Sequence, residues 1–299
     1  MAKAVAAQKT AKVEKPKKAR AKRMPRINVN AYVRGIASLS NAKRQACGYC
    51  GNENAAASNV WVCAYCESAN FLSTLSLKQS DEALMGALSN AIGAMIDDDY
   101  EAAAAEYDKI AVRSPDPQTL YGQAVFYFAY SNNEVASIRY DRPGFMEENA
   151  MHREKASAMH SKALRILSKV SYLCDKSAKE AHMDAALGFT FFMASVKMGD
   201  LKTARRAIDI IEVYGNTFLG SYARMVFGAE LGQYADVVVH AQELLKADNF
   251  SPNAYYYTAW ALFKYGRAND ARRMFRALEG QIQSNSISAM VERLGPNGG

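Results

Sequence analysis

Residues 47–66, CGYCGNENAAASNVWVCAYC, contain four of the five cysteines of this chain. They form two Cys-x-x-Cys pairs, Cys47 with Cys50 and Cys63 with Cys66, and twelve residues separate the pairs. Two such pairs this close together can place four thiolates tetrahedrally around one Zn²⁺. Four thiolates fill the coordination of the metal and leave no position for a reacting water, so the spacing predicts one structural zinc ion.

The residues around the cysteines favour a small metal module. Gly51 directly follows Cys50 and suits the tight turn of a metal knuckle, and Trp61 can cover the site. The segment resembles a zinc ribbon, and we expect the module to occupy residues 41–75. So small a module has almost no core, so we expect its folding to depend on the metal. The pattern leaves open whether the ribbon contacts nucleic acid or protein.

The positive charge of the chain lies at its N-terminus. Residues 1–26 contain seven Lys, three Arg and one acid, a formal charge of +9, and residues 27–46 add three cations, whereas everything from Cys47 onward carries −5. The first 26 residues include two prolines and show no periodic apolar face, so we predict a disordered basic arm over residues 1–40.

A flexible cationic segment binds a polyanion through counterion release, so the arm and the ribbon together favour binding to RNA or DNA. The candidate nucleic-acid-binding residues are Lys15, Lys17, Lys18, Arg20, Lys22, Arg23, Arg26, Lys43 and Arg44. No reading helix is visible, so specific recognition of bases is not expected. A solubilising tail, or a segment that binds acidic lipid or an acidic protein, is the alternative.

From about Asp81 onward, apolar residues recur at helical spacing. Breaks in this pattern occur at 97–99, 199–200, 232–233 and 266–267, and the last three are 33 and 34 residues apart. This period resembles the tetratricopeptide repeat. The residues that carry the resemblance are Asp99, Tyr100, Ala103, Tyr107 and Pro115 in the first repeat, Gly199, Ala204 and Ile208 in the third, and Gly266, Ala271 and Phe275 in the last. Met225, Gly228 and Ala268 depart from the family pattern.

The resemblance implies a mostly α protein, in which a right-handed α-solenoid covers residues 81–295 behind the zinc ribbon and the arm. We expect five helix pairs over about 83–282 and a capping helix at 287–294. The second pair is irregular: its first helix is expected at 117–130, a break at 132–133, and its long second helix at 147–173. The loop at 131–146 is either a solvated connection or a recognition element.

In the tetratricopeptide family, the first helix of each pair lines a groove that receives a partner. The positions of this sequence that match are Tyr121, Val125, Phe128, Phe189, Met193, Tyr222, Val226, Tyr256, Trp260 and Phe263. Nearly all are apolar or aromatic, so the resemblance implies a protein partner that presents an apolar or amphipathic helical segment. Two alternatives stay open: these residues form the core, or they form a dimerisation surface.

Catalytic motifs are missing from the sequence, and the four histidines, His152, His160, His182 and His240, are scattered. Cys174 lies in an apolar helical stretch and is predicted to be a buried, inert thiol. With no disulfide framework, no apolar run long enough for a membrane span and no secretory signal, we expect a cytoplasmic protein. We therefore expect a non-enzymatic adaptor that joins nucleic acid to a protein partner; the alternative is a protein-only scaffold or assembly factor.

Overall fold

A computed structural model describes residues 23–56, 58–139, 145–248, 250–282 and 285–295. Within these residues the chain forms thirteen α-helices and two β-hairpins. The helices are α1 Val29–Ala37, α2 Leu72–Gln79, α3 Glu82–Ile96, α4 Tyr100–Arg113, α5 Pro117–Ala136, α6 Met146–Lys179, α7 Ala185–Lys197, α8 Leu201–Val213, α9 Thr217–Glu230, α10 Tyr234–Ala247, α11 Pro252–Lys264, α12 Ala268–Glu279 and α13 Asn285–Leu294. No described helix combines the length and the apolar character that a membrane span requires.

The helices from α3 to α12 pack in consecutive pairs, and α13 packs on α12. The turns within four of these pairs lie at the breaks that the sequence pattern predicts, 97–99, 199–200, 232–233 and 266–267. Gly199, Gly232 and Gly266 follow helix ends with φ angles of +74°, +69° and +89°, a backbone conformation that glycine adopts without strain. The Asp99 and Asp200 side chains then accept the first free N–H groups of α4 and α8. The predicted pairs are present, and in four of them a glycine with positive φ or a capping aspartate marks the turn between the two helices.

The second pair differs from the prediction. Helix α5 continues to Ala136 through the expected break at 132–133, and α6 runs for 34 residues from Met146 to Lys179. The last turns of α5 persist because they still bury a face against α6: the Ser131 hydroxyl donates to the Ala156 carbonyl, and the Glu134 carboxylate binds Lys155. Of the predicted loop at 131–146, residues 140–144 lie outside the described residues.

Helix α1 lies within the segment that was predicted to be disordered, so that prediction is wrong for residues 29–37. Val29 and Ile36 on α1 and Leu39 in the turn after it are buried, and Gly35 lies directly against the Tyr255 ring. The spacing of Val29 and Ile36 is helical, but the cationic composition of the N-terminus obscured it. Residues 1–22, the most basic part of the arm, lie outside the described residues.

Two antiparallel hairpins precede the helix pairs. Strand β1 Arg44–Ala46 pairs with β2 Glu53–Ala55, and β3 Val60–Val62 pairs with β4 Ala69–Phe71. Each hairpin turn contains one Cys-x-x-Cys pair. Val62 and Ala69 share a hydrophobic cluster with residues of α5, α7 and α9, so the hairpins and the helix pairs have a common core.

Candidate metal centre

The two hairpin turns bring the four predicted metal ligands together. The sulfur atoms of Cys47, Cys50, Cys63 and Cys66 all lie within 4.8 Å of one another. The Cys47–Cys66 and Cys50–Cys63 sulfur pairs are each 3.7 Å apart. A tetrahedron with Zn–S bonds of about 2.3 Å has S–S edges of about 3.8 Å. The four cysteines could therefore hold one metal ion, and their spacing is consistent with zinc.

The cysteine module has an internal two-fold relationship that the sequence analysis missed. The pattern Cys-x-Tyr-Cys-x-x-x-Asn occurs at 47–54 and again at 63–70, sixteen residues later. In each half, the N–H that follows the second cysteine donates to the carbonyl of the first, from Gly51 to Cys47 and from Glu67 to Cys63. The donor residues have φ angles of +75° and +56°. The repeated Asn was the available sequence signal for this duplication.

Two asparagines lock the halves together around the sulfurs. The Asn54 side-chain amide donates to the Cys63 sulfur at 3.4 Å, and its carbonyl oxygen accepts from the Ala64 N–H at 2.7 Å. Asn70 makes the reciprocal contacts, donating to the Cys47 sulfur at 3.4 Å and accepting from the Gly48 N–H at 3.1 Å. Both asparagines are buried. N–H groups aimed at sulfur offset the negative charge of four thiolates and fix their orientation.

The protonation of the cysteines also favours a metal. Burial raises the pKa of the Cys63 and Cys66 thiols well above their usual range. The hydrogen bond to Cys47 raises the pKa of Cys50, whereas the pKa of Cys47 is lowered because, despite its burial, the neighbouring thiols donate to it. Four thiolates together require a cation, so metal binding would release protons.

The surroundings of the cluster exclude solvent. The four cysteines are at most 4% exposed, and Trp61 is buried in the same cluster, where the sequence analysis expected it to cover the site. A closed set of four sulfurs leaves no room for a substrate at the metal. The arrangement therefore suits a structural metal.

The module is attached to the helix pairs by polar contacts between residues that are far apart in the sequence. The Glu67 carboxylate accepts from the Lys197 ammonium on α7 and from the Tyr257 hydroxyl on α11, both at 3.1 Å. The Asn253 side chain donates to the Cys63 carbonyl at 3.1 Å. Two hairpin residues are thus held by α7 and α11, which lie at least 130 residues further along the chain.

Half of the ten residues predicted to bind a partner are buried in the core that the hairpins share with the helices. Tyr121, Phe189, Met193, Tyr222 and Val226 are at most 2% exposed. Val125 packs against the cysteine cluster, and Phe128 meets the His160 ring edge-on. These side chains form the core that the hairpins and helices share, which is the first of the two alternatives. Docking of a protein partner on them stays a prediction, and it would require the hairpins to move.

The last helix pair differs from the prediction by one position. Phe189, Tyr222 and Tyr257 form successive edge contacts with centroids 5.4 and 6.4 Å apart, so Tyr257 continues the inner row and not Tyr256. Counting from the helix start does not give this row, since Phe189 is the fifth residue of α7 whereas Tyr222 and Tyr257 are the sixth residues of α9 and α11. Tyr256 instead packs edge-on against Phe275.

Trp260 and Phe263 are half-buried, and each lies beneath a cation. The Trp260 ring is 5.5 Å from the Lys264 ammonium, and the Phe263 ring is 5.4 Å from the Arg293 guanidinium. Both predicted partner-binding residues therefore retain some accessible surface at the end of the helix array, in a cationic setting.

The predicted nucleic-acid-binding residues fall into two groups. Arg23, Arg26, Lys43 and Arg44 are exposed. The others lie outside the described residues: Lys15, Lys17, Lys18, Arg20 and Lys22.

In the part of the chain that the structure describes, the other candidate ligands and nucleophiles do not form a second site. Cys174 is buried, as predicted, and burial raises its pKa to about 12. Across the described ranges, the four cysteines of the module are the only group of three or more His, Cys, Asp or Glu side chains close enough to share a metal ion.

Comparison with models of known protein families gave no match, and comparison with curated proteins gave none either. The tetratricopeptide resemblance therefore rests on the paired helices and the residue pattern, and the zinc-ribbon resemblance rests on the two hairpins and their cysteines.

Proposed function

We propose that this chain is a non-enzymatic, zinc-containing protein that binds nucleic acid through its basic N-terminal segment, residues 1–26. The observation that carries the proposal is the separation of charge: residues 1–46 have a formal charge of +12, and the rest of the chain has −5. Cations concentrated in one segment are suited to a polyanion, because each phosphate contact releases condensed counterions.

The structure supports this proposal by the position at which the basic segment joins the fold. The Met24 N–H lies 3.4 Å from the Tyr265 hydroxyl just after α11, and Ile27 packs against the core. The C-terminal end of the basic segment is thus held against the end of the helix array.

The metal would serve this function by holding the scaffold together. The cysteine module contacts α5, α7 and α11, so a zinc ion in it would stabilise the packing of the helices as well as the hairpins. We infer no reaction at the metal because the four cysteines close the site.

The test compares the full chain with a variant that lacks residues 1–22, by fluorescence anisotropy with labelled duplex DNA and single-stranded RNA over a range of salt concentrations. Deletion to residue 46 is unsuitable, because it removes α1, the buried Leu39 and strand β1. A variant of full length with Lys15, Lys17, Lys18, Arg20 and Lys22 replaced by Gln controls for chain length.

We expect both variants to bind more weakly and to show a flatter dependence of log affinity on log salt, by about 0.9 for each duplex phosphate that the variant no longer neutralises. Equal binding by the full chain and both variants would refute the proposal. Failure of the full chain to bind either nucleic acid would favour the protein-only scaffold.

A further inference from the structure

The folded part of the chain has its own uneven distribution of charge. Residues 23–46 contain five cations and no acid, and residues 264–295 contain six cations and three acids, so these two segments together carry +8. Residues 47–263 contain 18 cations and 26 acids and carry −8. Positive charge therefore remains at both ends of the described chain even without residues 1–22.

Packing brings the two cationic segments together. Helix α1 packs on α12, and the Arg273 guanidinium on α12 donates to the Asn30 side chain on α1. Arg34 lies one helical turn after Asn30, on the same side of α1. Residues from opposite ends of the sequence thus share one surface.

Helix α13 packs on α12 as well. The buried Arg272 guanidinium donates to the Leu294 carbonyl at 2.7 and 3.1 Å, which fixes the end of α13 against α12. Arg293, the residue before Leu294, is exposed and lies over the Phe263 ring. Helices α1 and α13 thus both pack on α12, and we call the exposed arginines of these three helices, Arg34, Arg273 and Arg293, the terminal face.

The three arginines of the terminal face are exposed. Over the ranges that the structure describes, Arg34, Arg273 and Arg293 form no ion pair with a carboxylate. Three exposed arginines elsewhere are paired and serve for comparison: Arg113 with Asp81 at 2.7 Å, Arg206 with Asp175 at 2.9 Å, and Arg224 with Glu212. The charges of the terminal face are therefore available to an anion from outside the chain.

We propose that the terminal face is a second contact surface for nucleic acid and binds the phosphate backbone of the same molecule that the basic N-terminal segment binds. This inference rests on the proposed function. Arginine suits phosphate, because its planar guanidinium can donate two hydrogen bonds to one phosphate group. The contact at Met24 holds the C-terminal end of the basic segment beside Tyr265, two residues after Phe263, so binding by one surface raises the local concentration of phosphate at the other.

The experiment uses three triple variants of the full chain. The first replaces Arg34, Arg273 and Arg293 by Gln. The second replaces Arg113, Arg206 and Arg224 by Gln, which changes the net charge equally at ion-paired positions. The third replaces Arg34, Arg273 and Arg293 by Lys and so keeps the charge of the face. Circular dichroism and thermal unfolding verify that each variant is folded.

With labelled duplex DNA, log affinity falls as log salt rises, and we expect this dependence to be shallower in the first variant. The slope should become less negative by about 2 to 3, since each phosphate that an arginine neutralises contributes about 0.9. We expect the second variant to change the affinity less than about two-fold and the third to retain the slope. Equal weakening by the first and second variants would overturn the inference, because only the total charge would then matter. An unchanged slope in the first variant would also overturn it.

Two outcomes separate this inference from the proposed function. If removal of residues 1–22 weakens binding and the first triple variant does not, the inference fails and the proposed function stands. If the full chain binds vesicles with 30% phosphatidylserine but neither DNA nor RNA, both fail, and the surface belongs to a lipid-binding protein.

Discussion

Replacement of Gly122 by Ala measures how closely the cysteine module approaches the helices. Gly122 lies inside α5, where a Cβ atom would be 3.1 Å from the Tyr49 carbonyl oxygen and 3.4 Å from the Tyr49 Cβ. Tyr49 stands between Cys47 and Cys50, and bonds from both sulfurs to one metal ion would hold its backbone in place. The carbonyl therefore has little freedom to move away from a methyl group.

The expected magnitude is the difference between two effects. Ala in place of Gly within a helix stabilises a protein by about 0.5–1 kcal/mol. Added volume in a well-packed contact costs about 1–3 kcal/mol. We therefore expect Gly122→Ala to lower the free energy of unfolding by about 1 kcal/mol in the metal-loaded protein.

Gly86→Ala is the matched control, because Gly86 is also inside a helix, α3, and apart from its own turn of helix no atom lies within 4 Å of the position that a Cβ atom would take. We expect it to raise the free energy of unfolding by about 0.5–1 kcal/mol. The assay is urea unfolding followed by circular dichroism at saturating zinc. If Gly122→Ala stabilised the protein as much as Gly86→Ala, the module would not lie against α5 and the reasoning would be refuted.

Three further predictions concern the module and its supports. Asn70→Ala should weaken zinc binding about 10- to 100-fold in competition with a chromophoric chelator, since the Cys47 sulfur loses its amide donor; unchanged affinity would contradict this role. Glu67→Gln should lower the free energy of unfolding by about 1–2 kcal/mol in urea, because Lys197 loses a partly buried anion; an unchanged free energy would show that this ion pair is not formed. Burial alone would raise the pKa of Asp116, but Lys78 and neighbouring hydroxyls hold this pKa below its ordinary value. The ionised carboxylate therefore stabilises the fold at neutral pH, and this stabilisation is lost when acidification protonates it. Asp116→Asn should therefore destabilise the protein at pH 7 and reduce its loss of stability below about pH 4, and an identical pH profile would contradict the assignment.

The features that the sequence predicted depend on local chemistry. The cysteine spacing is sufficient to predict the metal cluster, because two short knuckles need only a few residues to bring four sulfurs together. The turns at Gly199, Gly232 and Gly266 are equally local, since a glycine with positive φ ends one helix and the next begins soon after it. These local signals are the reason that the helix pairs and the four cysteine ligands could be predicted.

The features that the sequence did not predict depend on contacts between distant residues. Asn253 meets the Cys63 carbonyl across 190 residues, and no local pattern indicates that the hairpins cover the inner face of the array. An apolar row such as Phe189 and Tyr222 has the same composition whether it is an open groove or a core, so its burial depends on what lies above it. Helix α1 was missed for a related reason: its stability comes from packing on α12 and not from its own composition.

The cysteine module forms one core with α5, α7, α9 and α11, and we expect a bound zinc ion to stabilise all of it. Hydrogen exchange with mass spectrometry on the zinc-loaded protein, before and after removal of zinc by a chelator, tests it most directly. We expect removal of zinc to abolish protection in peptides from the hairpins and also in peptides that contain Tyr121, Tyr222 and Tyr257. Loss of protection confined to residues 44–71, with the helices unchanged, would contradict it.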